Sequence, residues 1–262
     1  MTTPGRRSWD GDAYHRLSAP MEAMAMPVLA RLSLCGGETV LDAGCGSGRV
    51  THHLLDALPE GRVIAVDADA DMVRAAAVSL AGTRAAVREA DLLELDLRAL
   101  EVGVDAVDAV FSTATFHWIR DHDALFARLF SALVPGGRLE AQCGGGNNIA
   151  RVHAVARDVA RQEHYAQDLY DVEAVTNFYT PEETEQRLRN AGFAEVRCWL
   201  QDIPVTPEDP VGYLRTIILG QHVERLGEDL GMAFVHEVAE GLGYPGAVTL
   251  DYVRLNISAV RP

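Results

Sequence analysis

Val40-Leu41-Asp42-Ala43-Gly44-Cys45-Gly46-Ser47-Gly48-Arg49 decides the reading of this chain. Thr39 to Leu41 is a short apolar run that reads as a buried strand ending at Asp42. Val50, Leu54, Leu55 and Leu58 then recur at helical spacing, and Pro59-Glu60-Gly61 stops that helix. Glycines between a strand and a helix let the backbone adopt φ > 0 and approach a ligand closely. The helix behind them offers free N–H groups to an anionic ligand group. The spacing then separates two ligand classes. A dinucleotide fingerprint, G-x-G-x-x-G, needs its third glycine at position 49 in this register, where Arg49 stands; the third glycine is Gly48. A G-x-G-x-G loop has less need to seat a pyrophosphate, which disfavours a nicotinamide oxidoreductase.

Outward from that loop, strands and helices alternate, the pattern of an α/β fold with a mostly parallel sheet. Val63 to Val66 is a second strand ending in Asp67, 23 residues after Gly44. An acid there suits hydrogen bonds to ribose hydroxyls; its alternative role is a helix N-cap. Met72, Val73, Ala76 and Leu80 mark the next helix. Ala86 to Glu89 is a third strand leading to Asp91-Leu92, a carboxylate beside an apolar side chain that suits an adenine; otherwise Asp91 is a solvated loop acid. Val107 to Phe111 is a fourth strand, followed by Ser112-Thr113-Ala114-Thr115-Phe116-His117-Trp118. Asp121 can cap a helix carrying Leu125, Phe126, Leu129 and Leu133. Pro135-Gly136-Gly137 turns the chain into a fifth strand, Arg138 to Cys143. Three strand ends in chain order thus offer a glycine loop, a ribose acid and an adenine acid, at the edge where open α/β sheets bind ligands.

The second half is less regular. Ala150 to Tyr165 reads as a helix, Thr180-Pro181-Glu182-Glu183 as a helix start with a capping box, Ala194 to Leu200 as a sixth strand and Leu250 to Val260 as a seventh. Pro204 to Pro210 reads as a linker, with helical segments at 211–219 and 226–242. The expected organisation is a core with an N-terminal lid over 1–143, a cap insertion over 144–179, core again over 180–204, a second cap insertion over 205–247 and a last core strand in 248–262.

Composition narrows the function. The 262 residues carry 23 Lys+Arg against 38 Asp+Glu, a net charge of -15, and every one of those basic residues is Arg. Such acidity disfavours nucleic-acid and anionic-membrane partners, which need clustered cations. Without Lys there is no Schiff-base chemistry, no lysine-anchored cofactor and no Walker-type P-loop. Residues 1–10 carry no apolar signal segment, and no stretch approaches the ~18 apolar residues of a membrane span. Cys35, Cys45, Cys143 and Cys198 show no C-x-x-C spacing, so no metal site is expected and a reducing, cytoplasmic setting is. His153 and His164, eleven apart, add no metal-ligand spacing.

These motifs resemble the class I S-adenosylmethionine (SAM)-dependent methyltransferases over about 40–143, and the remaining strands more loosely. Phe116-His117-Trp118, Asp121-His122 and Pro135-Gly136-Gly137-Arg138 are most similar to the trans-aconitate methyltransferase-like group; Trp9 and Tyr14 resemble that group's cofactor-covering segment. The resemblance implies a Rossmann-like seven-stranded sheet of order 3-2-1-4-5-7-6 with the seventh strand antiparallel, helices on both faces and a helical cap formed by the two insertions. It implies SAM contacts at Tyr14, Asp42, Gly44, Gly46, Gly48, Asp67, Ala68, Met72, Asp91, Leu92, Ser112, His117 and Trp118. Gly144-Gly145-Gly146-Asn147-Asn148 is more glycine-rich than the aconitate pattern and the cap segments match it loosely, so the acceptor does not carry over with the cofactor.

The expected reaction is methyl transfer from SAM to a small-molecule acceptor, a carboxylate oxygen first, with a phenol, amine or carbon acceptor as the alternative. A SAM-binding protein without catalysis is the further alternative. His117 is either a general base or a wall of the pocket. Trp9, His117, Arg151, Tyr213 and Arg215 are the candidate acceptor contacts. An Arg fork matches a carboxylate, though Arg215 has a surface ion pair as its other reading.

Overall fold

The computed structural model describes residues 19–169 and 176–262. They divide into two compact units. One comprises 19–146, Thr176–Gln201 and Arg254–Pro262, and the other 147–169 and 202–253.

The first unit is a seven-stranded sheet of order β3-β2-β1-β4-β5-β7-β6. Its strands are β1 (Thr39–Ala43), β2 (Arg62–Asp67), β3 (Ala85–Glu89), β4 (Val107–Thr113), β5 (Leu133–Gly144), β6 (Ala194–Asp202) and β7 (Val253–Val260). β1 to β5 pair in parallel and β7 runs antiparallel to β5. The chain winds from β1 outward to β3, then returns to place β4 on the other side of β1. The carboxyl ends of β1 and β4 therefore flank the point where the winding reverses, the crevice in which such sheets bind ligands.

Both faces of the sheet are covered, which is why the central strands read as continuous apolar runs. Successive residues alternate between two cores. Val40, Val63, Ala65, Ala109 and Phe111 pack with Val28 of helix α1 (Ala19–Arg31), with Leu32 just after it, with Leu54 of α2 (Arg49–Asp56) and with Ala76 of α3 (Ala70–Ser79). Leu41, Ile64, Val66, Val110 and Leu139 pack with Leu125, Phe126 and Leu129 of α4 (His122–Ala132) on the opposite face.

The second unit is largely helical: α5 (Ala150–Ala160), α6 (Glu163–Leu169), α8 (Pro210–Tyr213), α9 (Gly220–Leu226) and α10 (Glu228–Leu242), with α7 (Pro181–Asn190) belonging to the sheet unit. Tyr165 lies edge-to-face on Phe234 with ring centroids 5.2 Å apart, and its hydroxyl donates to Glu237 at 2.8 Å. No helix among the described residues is long and apolar enough to cross a membrane.

Several boundaries differ from the sequence reading for identifiable reasons. Pro135-Gly136-Gly137 lies inside β5 rather than before it. Val107 pairs with Leu133 while Ala109 pairs with Arg138, so the intervening residues bulge out of the ladder. The expected helix over 150–165 is two helices, broken at Arg161-Gln162. The segment 211–219 is one α turn followed by a π turn over Leu214–Ile218, closed by Leu219 N–H donating to Leu214 O at 2.7 Å. β7 starts at Val253 rather than Leu250, which forms an isolated bridge with Val205. α1, with Pro27 inside it, was given no bounds in the sequence reading.

The capping box at the start of α7 is formed as read: Glu183 N–H donates to Thr180 Oγ1 at 3.2 Å, and Thr180 N–H donates to Glu183 Oε2 at 2.9 Å. Thr180→Ala is expected to lower unfolding stability by about 1 kcal/mol, and Thr180→Ser to leave it nearly unchanged, both measured by urea denaturation.

Candidate cofactor and active site

The glycine loop is held by its neighbours. Gly44 N–H and Cys45 N–H both donate to Val66 O, at 2.8 and 2.9 Å, fastening the start of the loop to β2. Gly44 has φ 84°, and a Cβ there would come within 2.2 Å of Thr115 Oγ1, so this position excludes any side chain. Gly46 differs. Its φ is 54°, but among the described residues no atom lies within 4 Å of the place a Cβ would occupy. No described residue covers the backbone at the middle of the loop, so a ligand can approach it closely there. Gly48, with φ 83°, is the N-cap of α2 and has no side-chain cap.

Asp67 is joined to this loop. Its Oδ2 accepts from Gly46 N–H and its Oδ1 from Asp69 N–H, each at 2.9 Å. The carboxylate is fixed at both oxygens, and each oxygen keeps a lone pair for a further donor. Burial raises its pKa from the ordinary carboxylate value, against the backbone bonds that lower it. The capping of α3 belongs instead to Asp69, which accepts from Asp71 and Met72 N–H. Asp42, at the end of β1, is buried and accepts from Thr51 Oγ1 at 2.7 Å. Burial, with the charge of Asp67 adding to it, pushes its pKa up to about 7.

The other expected contacts fall as follows. Ala68 is half-buried and Met72 is buried. Asp91 is exposed and caps a short turn, accepting from Leu93 N–H at 2.9 Å. Leu92 lies in the apolar core of the α4 face. Ser112 is buried and spends its hydroxyl on Ala43 O at 2.7 Å, tying β4 to β1. Trp9 and Tyr14 lie outside the described residues.

His117 is buried, 5.1 Å from the Trp118 ring and 6.0 Å from that of Phe178, measured between centroids. Its Nδ1 accepts from Gly144 N–H at 3.3 Å. Burial, reinforced by the Arg254 charge and by His122, holds its pKa well below the ordinary value. The ring is therefore neutral, and with Nδ1 accepting, its proton sits on Nε2. It presents a donor, which argues for the wall reading over the base.

Arg151, Tyr213 and Arg215 belong to the helical unit and are each engaged within it. Arg151 donates to Leu242 O at 3.1 Å, the Tyr213 hydroxyl lies 3.0 Å from that of Tyr252, and Arg215 donates to both Glu228 oxygens at 2.8 and 3.0 Å. For Arg215 the arrangement seen is the ion pair. Sequence reasoning passed over Thr51, Thr115 and, above all, Arg254. Arg254 is 2% exposed, at the start of β7 opposite Gly144. Its signal was present: Val253-Arg254-Leu255-Asn256-Ile257-Ser258 alternates, so one strand face is polar.

Residues 40–137 match the family described as a methyltransferase domain. With the relatives below, this makes the chain similar to SAM-dependent methyltransferases. The relatives it is similar to include trans-aconitate 2-methyltransferases. It is 35% identical over 135 residues to a trans-aconitate 2-methyltransferase of Azoarcus sp. (strain BH72), covering 52% of this chain and 50% of that one. It is 27% identical over 250 residues to the protein of that name from Variovorax paradoxus (strain S110), covering 94% and 93%. The chain thus spans about half the length of the Azoarcus relative, and 59% of an Escherichia coli one. The fold is shared with Haemonchus contortus phosphoethanolamine N-methyltransferase 2, solved in complex with S-adenosyl-L-methionine, at a TM-score of 0.61 and 18% identity, covering 96% of this chain and 56% of that one.

Asp42 makes stability depend on pH with a definite sign. Its folded pKa lies above the ordinary 3.8, so between about pH 4 and 7 the folded chain keeps a proton that the unfolded chain releases, and this contribution is lost as pH rises. Asp42→Asn keeps an acceptor for Thr51 and removes the titration. It is expected to flatten the fall in stability between pH 5 and 8, and to raise stability at pH 8 by about 1–4 kcal/mol; the upper figure is the full cost of moving a carboxyl from 3.8 to about 7. Denaturation midpoints of both proteins at pH 5 and 8 measure it, and an unchanged slope contradicts it.

Proposed function

We propose that this protein transfers the methyl group of SAM to a carboxylate oxygen of a small-molecule acceptor. The observation that carries the cofactor assignment is the open face of Gly46 beside the doubly anchored carboxylate of Asp67. That pair offers close backbone approach and two ribose acceptors, and the residues present fit the group. Asp67 would hold the ribose hydroxyls, Asp91 the adenine amino group, and Met72 and Ala68 the adenine's surroundings, with Gly44, Gly46 and Gly48 lining the loop. When bound, SAM supplies a methyl on a positively charged sulfur, already activated for displacement.

The chain's own residues supply position and charge. Orientation and exclusion of water are worth on the order of 7–11 kcal/mol in favourable cases. Asp42 and Asp67 are two carboxyls whose burial resists ionisation, and a cation brought beside them favours their charged forms. A carboxylate acceptor has no proton to lose, and His117 offers a donor instead of a base. The trans-aconitate names of the relatives support a carboxylate acceptor, and the neutral, donating His117 agrees with it.

Calorimetry is expected to find SAM and S-adenosylhomocysteine binding and no NAD binding. Asp67→Ala is expected to weaken SAM about 10- to 100-fold through loss of hydrogen bonds to a charged acceptor. SAM affinity should rise from pH 5 to 8 more than that of S-adenosylhomocysteine, which lacks the sulfonium charge. Incubation with SAM and trans-aconitate, followed by mass spectrometry, should show a methyl ester; tight SAM binding with no transfer to any small carboxylic acid would refute the acceptor assignment.

A further inference from the structure

We propose that His122 is a positioning residue of this site: by donating to Phe116 O it fixes the turn that carries His117, and so holds His117 in place for methyl transfer. The inference rests on the methyl-transfer reading and deepens it.

β4 ends in a stretch of backbone that does not hold its own shape. Ala114 has φ 57°, in the left-handed region that a residue with a Cβ keeps only when its surroundings impose it. Phe116–Trp118 then forms one short 3-10 turn, a geometry whose hydrogen bonds are poor. Trp118 N–H donates to Thr115 O and Ile119 N–H to Phe116 O, each at 2.9 Å. Further restraints come from outside the turn. β5 contributes Gln142 O, which accepts from Ala114 N–H at 2.8 Å, and Gly144 N–H, which donates to His117 Nδ1 at 3.3 Å. Asn177 N–H donates to His117 O at 2.7 Å. His122 adds a side chain: its Nε2 lies 2.9 Å from Phe116 O. A carbonyl oxygen only accepts, so Nε2 carries the proton and donates.

These bonds divide the work around His117. Phe116 O belongs to the peptide group before His117, and His117 O to the one after it. His122 fixes the first, Asn177 the second, and Gly144 the ring. Two peptide planes and one ring nitrogen leave His117 little freedom to move its Nε2–H donor.

The choice of histidine at position 122 follows from the bond, since packing alone favours another residue. His122 is 2% exposed, the first residue of α4. Its ring centroid lies 6.4 Å from that of Phe116, 5.3 Å from Phe126 and 4.5 Å from Tyr179. An apolar ring suits such surroundings without the cost of burying polar nitrogens. Nδ1 is buried and meets no hydrogen-bond partner among the described residues, so the polar return of this ring is at Nε2. Burial, opposed by the bond to Phe116 O and reinforced by the Arg187 charge, lowers its pKa from the ordinary value. The ring is held from the far side as well. The Arg187 guanidinium sits 4.0 Å above the Tyr179 ring, and the Tyr179 hydroxyl donates to Arg120 O at 2.8 Å, two residues before His122.

The test uses the full chain and compares wild type, His122→Phe and His122→Gln. Phe keeps a ring among the aromatic neighbours and removes the donor; Gln carries an N–H at a similar reach. S-adenosylhomocysteine affinity reports an intact cofactor site. Turnover with SAM and trans-aconitate gives kcat and KM. Amide hydrogen exchange by NMR at Gly144 and Asn177 reports the hold on His117, with Gly44 and Cys45, bonded to Val66 O, as controls. His122→Phe is expected to lower kcat/KM about 10- to 100-fold, the effect of a misplacement of about 1 Å, with S-adenosylhomocysteine affinity within about twofold. Exchange at Gly144 and Asn177 should quicken about 2- to 10-fold, the weight of one neutral hydrogen bond, while the controls stay unchanged. His122→Gln should restore most of both. A residue that only fills space would move the denaturation midpoint and leave kcat/KM of the folded protein alone. Unchanged kcat/KM in folded His122→Phe, unchanged exchange at Gly144 and Asn177, or His122→Gln no better than His122→Phe would each overturn the proposal. Should His122→Phe not fold, His122→Asn, whose shorter amide falls short of Phe116 O, takes its place with the same expected outcomes. Wild type that binds S-adenosylhomocysteine but methylates no small carboxylic acid defeats the acceptor reading; the exchange comparison then decides by itself whether His122 fixes His117.

Discussion

The bond from Gly46 N–H to the Asp67 carboxylate is the constraint on which the site depends. A glycine loop has no side chains with which to hold its own shape, and glycine loses the most conformational freedom on ordering. Here the order is imposed from outside. β2 supplies Val66 O to two successive N–H groups and, one residue later, the Asp67 side chain to a third. β1 and β2 must therefore be adjacent and in register for the loop to exist, which their pairing from Thr39↔Arg62 to Ala43↔Val66 provides. The cores on both faces fix that pairing, so packing far from the loop sets the loop's geometry.

The same arrangement concentrates negative charge. Asp42 and Asp67 end neighbouring strands, and each is withdrawn from water enough to raise its pKa. In the free chain this is a cost, offset in part by Thr51 and by backbone N–H donors. A cationic ligand turns the cost into affinity, because the opposing charge is strongest where water is excluded. The overall acidity of the chain and this local acidity are separate matters: most of the 38 acids are solvated, and only those at strand ends bear on a ligand.

Legibility in the sequence followed the range of the interactions. β1 to β4, the helix caps at Asp121 and Thr180 and the positive-φ glycines are set by neighbours in the chain, and their residues announce them. The strand order came with the family resemblance, because pairing between distant strands leaves no local mark. Helix α1 was missed because Pro27 and a weak apolar stripe disguise it. Pro135-Gly136-Gly137 was read as a turn since nothing local says that Leu133 already pairs with Val107. Asp67 carried two readings, cap or ligand acid, and the structure gives the cap to Asp69, two residues on. The search for an acceptor-binding Arg went to the irregular segments because cores are expected to be apolar. Arg254 lies in a strand, and its environment depends on Gly144, more than a hundred residues earlier.

The absence of Lys bears on that residue directly. A buried ammonium sheds its proton readily as burial raises the cost of its charge, whereas a guanidinium stays charged under any condition a protein meets. A cation at a dry sheet edge keeps its charge most securely as Arg. Its charge then does two things at once. Burial holds His117 neutral, the Arg254 charge adds to it by repelling a second proton, and the Nε2–H donor that Gly144 has oriented is so preserved. The two residues thereby form one unit with a single polarity, positive and donating, set across the strand ends from the carboxyls of Asp42 and Asp67.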